Sequence, residues 1–343
     1  MELLYTVWLG APVWMWASFV AIVVALLAFD LGVLNKDDHV IGVRESLKLS
    51  ALYIAAGLAF GLWVWHAFGS EKALHFYTGF LIEKSLSLDN IFVISLIFAT
   101  LSIPAVYQHR VLFWGILGVI LTRGIMIGAG SALVASYYWV LYIFGAILVI
   151  TGIKMFFASD NPDQIRDSAV LKWLKGHLRM TEGMRGNAFL VREPDPARPG
   201  HTLLLATPLF LALCMVEVTD VIFAVDSVPA IFAITTDTFI VYTSNVFAIL
   251  GLRALYFAIA GILPYFHFLK YGLGTILIFV GVKMSLAHSE WKIDTNVSLG
   301  IIGGVLAIST IASVIHRKLH PLPESPLEEV LEETPDEVLE EKK

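Results

Sequence analysis

A succession of apolar runs, most near the roughly 20 residues needed to cross a bilayer, constrains this chain more than any other feature. Inside hydrocarbon the backbone N–H and C=O groups find no water, so each run must satisfy them internally, as a helix does. Hydropathy puts spans at about Val13–Leu34, Leu47–Phe68, Thr78–Thr100, Val111–Ala129, Trp139–Phe157, Thr207–Phe232, Phe239–Leu263, Phe266–Leu286 and Val297–Ile315. The sixth is longer than one crossing needs, which predicts a tilted or broken helix. With 57% hydrophobic and 15% charged residues, a soluble domain is excluded, because its surface would lack polar groups. The expected fold class is all-α: a polytopic membrane protein of about nine transmembrane helices.

The connections orient the chain. With the N-terminus outside, sixteen Lys and Arg residues fall on the inner side, among them the seven from Arg166 to Arg198, and only Lys72 and Lys292 fall outside. Basic residues stay cytoplasmic, so the expectation is N-out and C-in, in the inner or plasma membrane. Residues 1–320 form the transmembrane domain, with a cytoplasmic loop at 158–206 and an acidic, disordered tail at 321–343. In the loop, Leu171, Leu174 and Leu178 recur at helical spacing among Lys172, Lys175 and Arg179, which predicts an amphipathic helix resting on the anionic leaflet. Ala188–Val191 and Thr202–Ala206 predict a short hairpin. The single cysteine, Cys214, lies in an apolar run and excludes both an intrachain disulfide and a Cys-x-x-Cys redox pair.

Within the sixth span, V-E-V-T-D-V-I-F-A-V-D-S-V-P carries Glu217, Asp220 and Asp226. A carboxylate at mid-bilayer costs about 2.5–3.5 kcal/mol on insertion scales, so such acids are rare and mark function. At about 100° per residue, Glu217 and Asp220 share a face while Asp226 points about 120° away from Asp220. Bringing all three to one ion needs local unwinding near Ser227–Pro229; the alternative is two subsites.

The third span echoes this pattern. Glu83 and Asp89 are six apart, as are Asp220 and Asp226, and the second acid is followed by Asn90 or Ser227. Arg123 and Arg253 interrupt the fourth and seventh spans, and T-G-I-K-M at Thr151–Met155 matches V-G-V-K-M at Val280–Met284. The offsets are 137, 130 and 129 residues. Spans three to five (repeat A, 78–157) thus resemble spans six to eight (repeat B, 207–288). An odd number of spans per copy inverts the second copy, and transporters of that design place their site between the copies.

Carboxylates with Asn, Ser and backbone carbonyls make a hard oxygen set suited to Mn²⁺, Mg²⁺ or Ca²⁺. No paired histidines on a span and one thiol disfavour copper and zinc. Arg123 and Arg253 are expected to pair with some of the acids, since an unpaired buried charge is costly. A purely structural reading, with the charges only locking helices together, leaves their clustering at two related stretches unexplained. No hydrolytic triad, nucleotide loop or haem motif is present, so an enzyme or an ATP-driven pump is not expected.

The motifs E-K-S-L-S-L-D-N (Glu83–Asn90), F-D-L-G-V-L-N-K-D-D-H-V-I (Phe29–Ile41), A-T-P-L-F (Ala206–Phe210), the acidic stretch through Asp237, and S-N-V-F-A-I-L-G-L-R-A-L-Y-F (Ser244–Phe257) resemble the TerC family, in particular its Alx-like branch. The resemblance implies Mn²⁺ export. Other labels in the family are redox modulation and tellurium resistance, and five acids in the pathway would repel a tellurium oxyanion. It also implies roles for Glu83, Asp89, Glu217, Asp220 and Asp226, with Asp30 capping the first span. The expectation is therefore a secondary exporter of divalent metal, most readily Mn²⁺. Its ligands are Glu83, Asp89, Glu217, Asp220 and Asp226, with Asn90 and Ser227 as neutral oxygens and Arg123 and Arg253 as ion-pair or gating residues. H⁺ is the candidate coupling ion, no cofactor is bound permanently, and no nucleic-acid partner is expected. A membrane-bound redox modulator or stress-response protein without transport is the alternative. The sequence carries no signal for oligomeric state.

Overall fold

The computed structural model describes residues 5–29, 42–157, 168–195, 201–260, 268–286 and 293–319. Asp30 and the acidic tail lie outside the described residues. The protein is all-helical apart from two small hairpins. Strands β1 (Val7–Trp8) and β2 (Ala11–Pro12) precede α1 (Val13–Phe29), α2 (Val43–Phe68), α3 (Ser70–Thr100), α4 (Ala105–Ser136) and α5 (Val140–Phe157). Then come α6 (Ala169–His177), β3 (Leu190–Pro194) and β4 (Thr202–Ala206). Helices α7 (Pro208–Phe232), α8 (Thr238–Leu250), α9 (Leu252–Ile259), α10 (Leu269–Ser285) and α11 (Thr295–Leu319) complete the chain. Among the described residues, six helical segments are long and apolar enough to cross a bilayer: α2, α4, α5, α7, α8 with α9, and α11. The 17-residue α1 is a shorter apolar helix. The chain is an integral, multi-pass membrane protein.

Helices overrun the apolar runs. α3 begins at Ser70, where Gly69, at φ +89°, turns the chain out of α2. Hydropathy saw this helix only from Thr78, because Glu71 and Lys72 open it. Lys72 pairs with Asp237 at 2.6 Å. The same Asp237 carboxylate accepts from the N–H groups of Phe239 and Ile240, capping α8.

The local break expected near Ser227–Pro229 is not found. α7 runs unbroken through Ser227 to Phe232, with Pro229 in its last turns, where the missing N–H costs one intrahelical bond. The break falls at Gly251, between α8 and α9, inside the segment read as one span. Lys84 donates from Nζ to the Ala248 carbonyl at 3.1 Å, satisfying an acceptor in the last turn of α8.

Four helices form a square at the centre. α3 packs on α8, α8 on α4, α4 on α7, and α7 on α3. Outside it, α5 and α10 pack on each other through glycines. A Cβ at Gly145 would meet the Gly281 carbonyl at 2.9 Å, and one at Gly152 would meet the Gly274 carbonyl at 2.6 Å. α6 is capped by Ser168, whose Oγ accepts from the Leu171 N–H at 3.2 Å. Its apolar face does not lie on lipid: Leu171 and Leu174 are buried in one cluster with Leu209, Ala212 and Tyr256. β3 and β4 pair antiparallel, from Leu190 opposite Ala206 to Pro194 opposite Thr202.

Candidate ion site between four helices

Arg123 is the largest side chain buried without trace of exposure. It projects from α4 into the square, where a lone guanidinium would be prohibitively costly. Asp220 on α7 answers it in a fork: Nε to Oδ2 at 3.2 Å and Nη2 to Oδ1 at 3.0 Å. Ser227, two helical turns further along α7 and on the same face, accepts from Nη1. Glu83 reaches in from α3, its Oε1 3.0 Å from Nη1. Neither oxygen of Glu83 has a well-aligned hydrogen bond, and its partner is the Arg123 charge. Two carboxylates share one guanidinium, with the consecutive helices α3 and α4 supplying Glu83 and Arg123 and the distant α7 supplying Asp220.

The other two acids of α7 are placed differently, because an unbroken helix turns each to another neighbour. Glu217 is half-buried and lies along α4 in the notch left by Gly118, where a Cβ would come within 2.0 Å of its Oε1. No described residue hydrogen-bonds or ion-pairs with it. Asp226 is also half-buried and accepts from Thr151 Oγ1 of α5 at 2.8 Å. The structure therefore brings Glu83, Asp220, Ser227 and Arg123 together and leaves Glu217 and Asp226 on the flanks. Asp89 is half-buried and Asn90 buried on the next turns of α3, while Arg253 is buried on α9. Among the described residues, no group of three or more His, Cys, Asp or Glu side chains converges closely enough to hold a metal ion. The arrangement is a cluster of two acids on one base, flanked by two loosely held carboxylates.

Two residues of this region escaped the sequence reading. Thr151 was noted only as part of a repeated motif, though a hydroxyl one residue before Gly152 on an apolar helix is a visible polar handle. Asn245 of α8 is fully buried, and neither atom of its amide has a hydrogen-bond partner. It was noted only as part of the motif Ser244–Phe257, though an amide after Thr243 and Ser244 inside a span is a visible polar signal.

Residues 68–320 match the model of the integral membrane protein TerC family. The chain belongs to the TerC family. An uncharacterized membrane protein of Myxococcus xanthus is 47% identical over 312 residues, covering 91% of this chain and 95% of that protein. A protein of Escherichia coli K12 named "Putative membrane-bound redox modulator Alx" is 45% identical over 311 residues, covering 88% of this chain and 94% of its own length. An uncharacterized membrane protein of Rickettsia felis is 44% identical over 304 residues, covering 89% and 98%. No solved structure matches the chain.

Proposed function

We propose that this TerC-family chain is a secondary transporter, not an enzyme, and that it exports a hard divalent cation, Mn²⁺ foremost, by alternating access. The observation that carries this reading is the fully buried Arg123 bridging Glu83 and Asp220 from different helices. A guanidinium there occupies the electrostatic place of a cation between two acids. When the ion arrives, it competes with Arg123 for these carboxylates. When it leaves, Arg123 recovers them and offsets one of the two negative charges, and a proton taken up by the pair offsets the other. Glu217 and Asp226, each without a base bonded to it, serve as the stations from which the ion enters and leaves. Protons taken up by emptied acids balance the charge, which couples export to H⁺ entry.

The architecture in this proposal has nine spans, an outside N-terminus and an inverted repeat of 78–157 and 207–288. Packing supports the repeat. With an offset of 129 residues, Gly145 corresponds to Gly274 and Gly152 to Gly281. The contact Gly145–Gly281 then becomes the contact Gly274–Gly152 on exchanging the copies, as a two-fold axis between α5 and α10 requires. Similarly, α3 packs on α8 as α7 packs on α4.

The redox reading attached to the Alx relatives finds little support here. The one cysteine, Cys214, is free and half-buried, and a thiol cycle needs a second thiol from elsewhere. The experiment that tests transport is Mn²⁺ flux into proteoliposomes, with and without a pH gradient, for the native protein and Asp226→Asn. Flux that responds to the gradient and is lost in the variant is expected. Absence of Mn²⁺, Ca²⁺ and Mg²⁺ flux in well-folded native protein overturns the proposal.

A further inference from the structure

The square of α3, α8, α4 and α7 receives charged side chains from three of its corners. At the fourth, α8 supplies Asn245. This side chain has no solvent exposure, and both Oδ1 and Nδ2 lack a hydrogen bond. Leaving a buried polar group unsatisfied costs about 1–3 kcal/mol, so an apolar residue would stabilise the resting fold better. An asparagine kept at that cost in the middle of a membrane protein points to a partner absent from the resting chain.

Its direction follows from its neighbours on α8. Ser244 lies against Gly79 of α3. Tyr242 donates from its hydroxyl to the Ile120 carbonyl of α4 at 3.2 Å. Asn245 follows Ser244 by one residue and Tyr242 by three, so at about 100° per residue it points between α3 and α4, into the square. Its height is bracketed as well. Ser244 is level with Gly79, and the Ala248 carbonyl is level with Lys84, whose Nζ it binds. Asn245 is therefore level with the turn of α3 that leads into Glu83, a buried side chain whose oxygens also lack aligned hydrogen bonds.

We propose that Asn245 is the neutral oxygen ligand of the central site, completing with Glu83, Asp220 and Ser227 a set for a partly hydrated divalent cation. The inference rests on the cation-export reading and adds a ligand to the same site. Carboxylates alone do not distinguish hard cations well; an amide oxygen fixed on the buried α8 adds a ligand without adding charge, so it strengthens binding less than a further carboxylate would and still lets the ion leave. With Oδ1 on the metal, Nδ2 donates to a carboxylate oxygen or to a water outside the ion's first shell, so occupation satisfies both orphan atoms.

The test is Mn²⁺ titration calorimetry and thermal unfolding of the full-length chain in detergent, comparing native protein with Asn245→Leu and Asn245→Asp. Leucine has nearly the same volume and removes the orphan amide. The expected result is an apo melting temperature equal to or above native, with Mn²⁺ affinity reduced about tenfold or more. Asn245→Asp, which keeps an oxygen, retains binding and shifts the preference among Mn²⁺, Ca²⁺ and Mg²⁺. A merely structural asparagine, or one that holds only a water, gives Asn245→Leu with native Mn²⁺ affinity, and that result overturns the assignment while leaving cation export intact. Native protein that binds no Mn²⁺ overturns the export reading and this inference with it. If the leucine variant fails to fold, Asn245→Ser, small enough for the same space, is read by the same criterion.

Discussion

Asp220 and Asp226 sit on the same helix, six residues apart, and live in different worlds. Asp220 is buried, forked onto Arg123, and shares that base with Glu83. Asp226 is half-buried and holds one hydroxyl, that of Thr151. Glu217, three residues before Asp220, has only the groove above Gly118. The difference shows that an acid within a membrane span can be structural or available according to what the neighbouring helix offers, not according to its own identity. The central cluster is costly to disturb because each member's charge depends on the others. The flanking acids are cheap to alter, and a mobile ion exchanges more readily where little must be broken.

Breaking the cluster has the largest expected effect. Arg123→Leu leaves Glu83 and Asp220 buried without a counter-ion and is expected to cost about 3–5 kcal/mol. It reads out as a lowered melting temperature and loss of monodisperse protein in detergent. Adding Glu83→Gln and Asp220→Asn to the same chain is expected to restore much of that loss; if it does not, the cluster is not what arginine supports.

A smaller effect is expected between α5 and α10. Gly152→Ala puts a Cβ 2.6 Å from the Gly274 carbonyl, which is backbone and cannot swing aside, so the helices must part. The expected cost is about 1–3 kcal/mol. Thr151 moves with its helix, so flux is expected to fall while the Arg123 cluster stays intact. Asp226→Asn is milder in stability, within about 1 kcal/mol, since an amide oxygen still accepts from Thr151. Its flux is nevertheless expected to vanish; native flux in this variant would erase the distinction between locked and available acids. Gly118→Ala is the mildest. The new Cβ displaces only the end of the Glu217 side chain, so stability is expected to change by no more than about 0.5 kcal/mol. A shifted Mn²⁺ affinity at constant melting temperature is the measurement that would assign Glu217 to the ion path.

Much of the membrane architecture was legible locally. Apolar runs locate helices because the bilayer leaves the backbone no other way to satisfy itself. They locate the helix ends poorly: α3 starts eight residues before its apolar run, as Glu71 and Lys72 are polar yet helical. Pro229 drew attention as a break point, but it lies where α7 has almost ended, and the bonds that remain carry the helix past it. The break at Gly251 had a weaker signal, since glycine is tolerated in membrane helices. For α6, spacing gave the amphipathic helix correctly, and whether its leucines meet lipid or protein depended on the bundle beside it.

By itself the sequence determined an all-helical, multi-pass membrane protein, the motifs that tie it to the TerC family, and the acids and arginines stranded among apolar residues. These are local properties: hydropathy, spacing and residue type over a few turns. Only the tertiary structure decided that Arg123 takes Asp220, 97 residues away, and Glu83 on another helix, and leaves Asp226 to α5. It alone left the amide of Asn245 buried without a hydrogen-bond partner. Partner choice depends on how each helix is rotated and which neighbours it packs against. Those rotations are set by contacts such as glycine on glycine between α5 and α10, which no single segment contains.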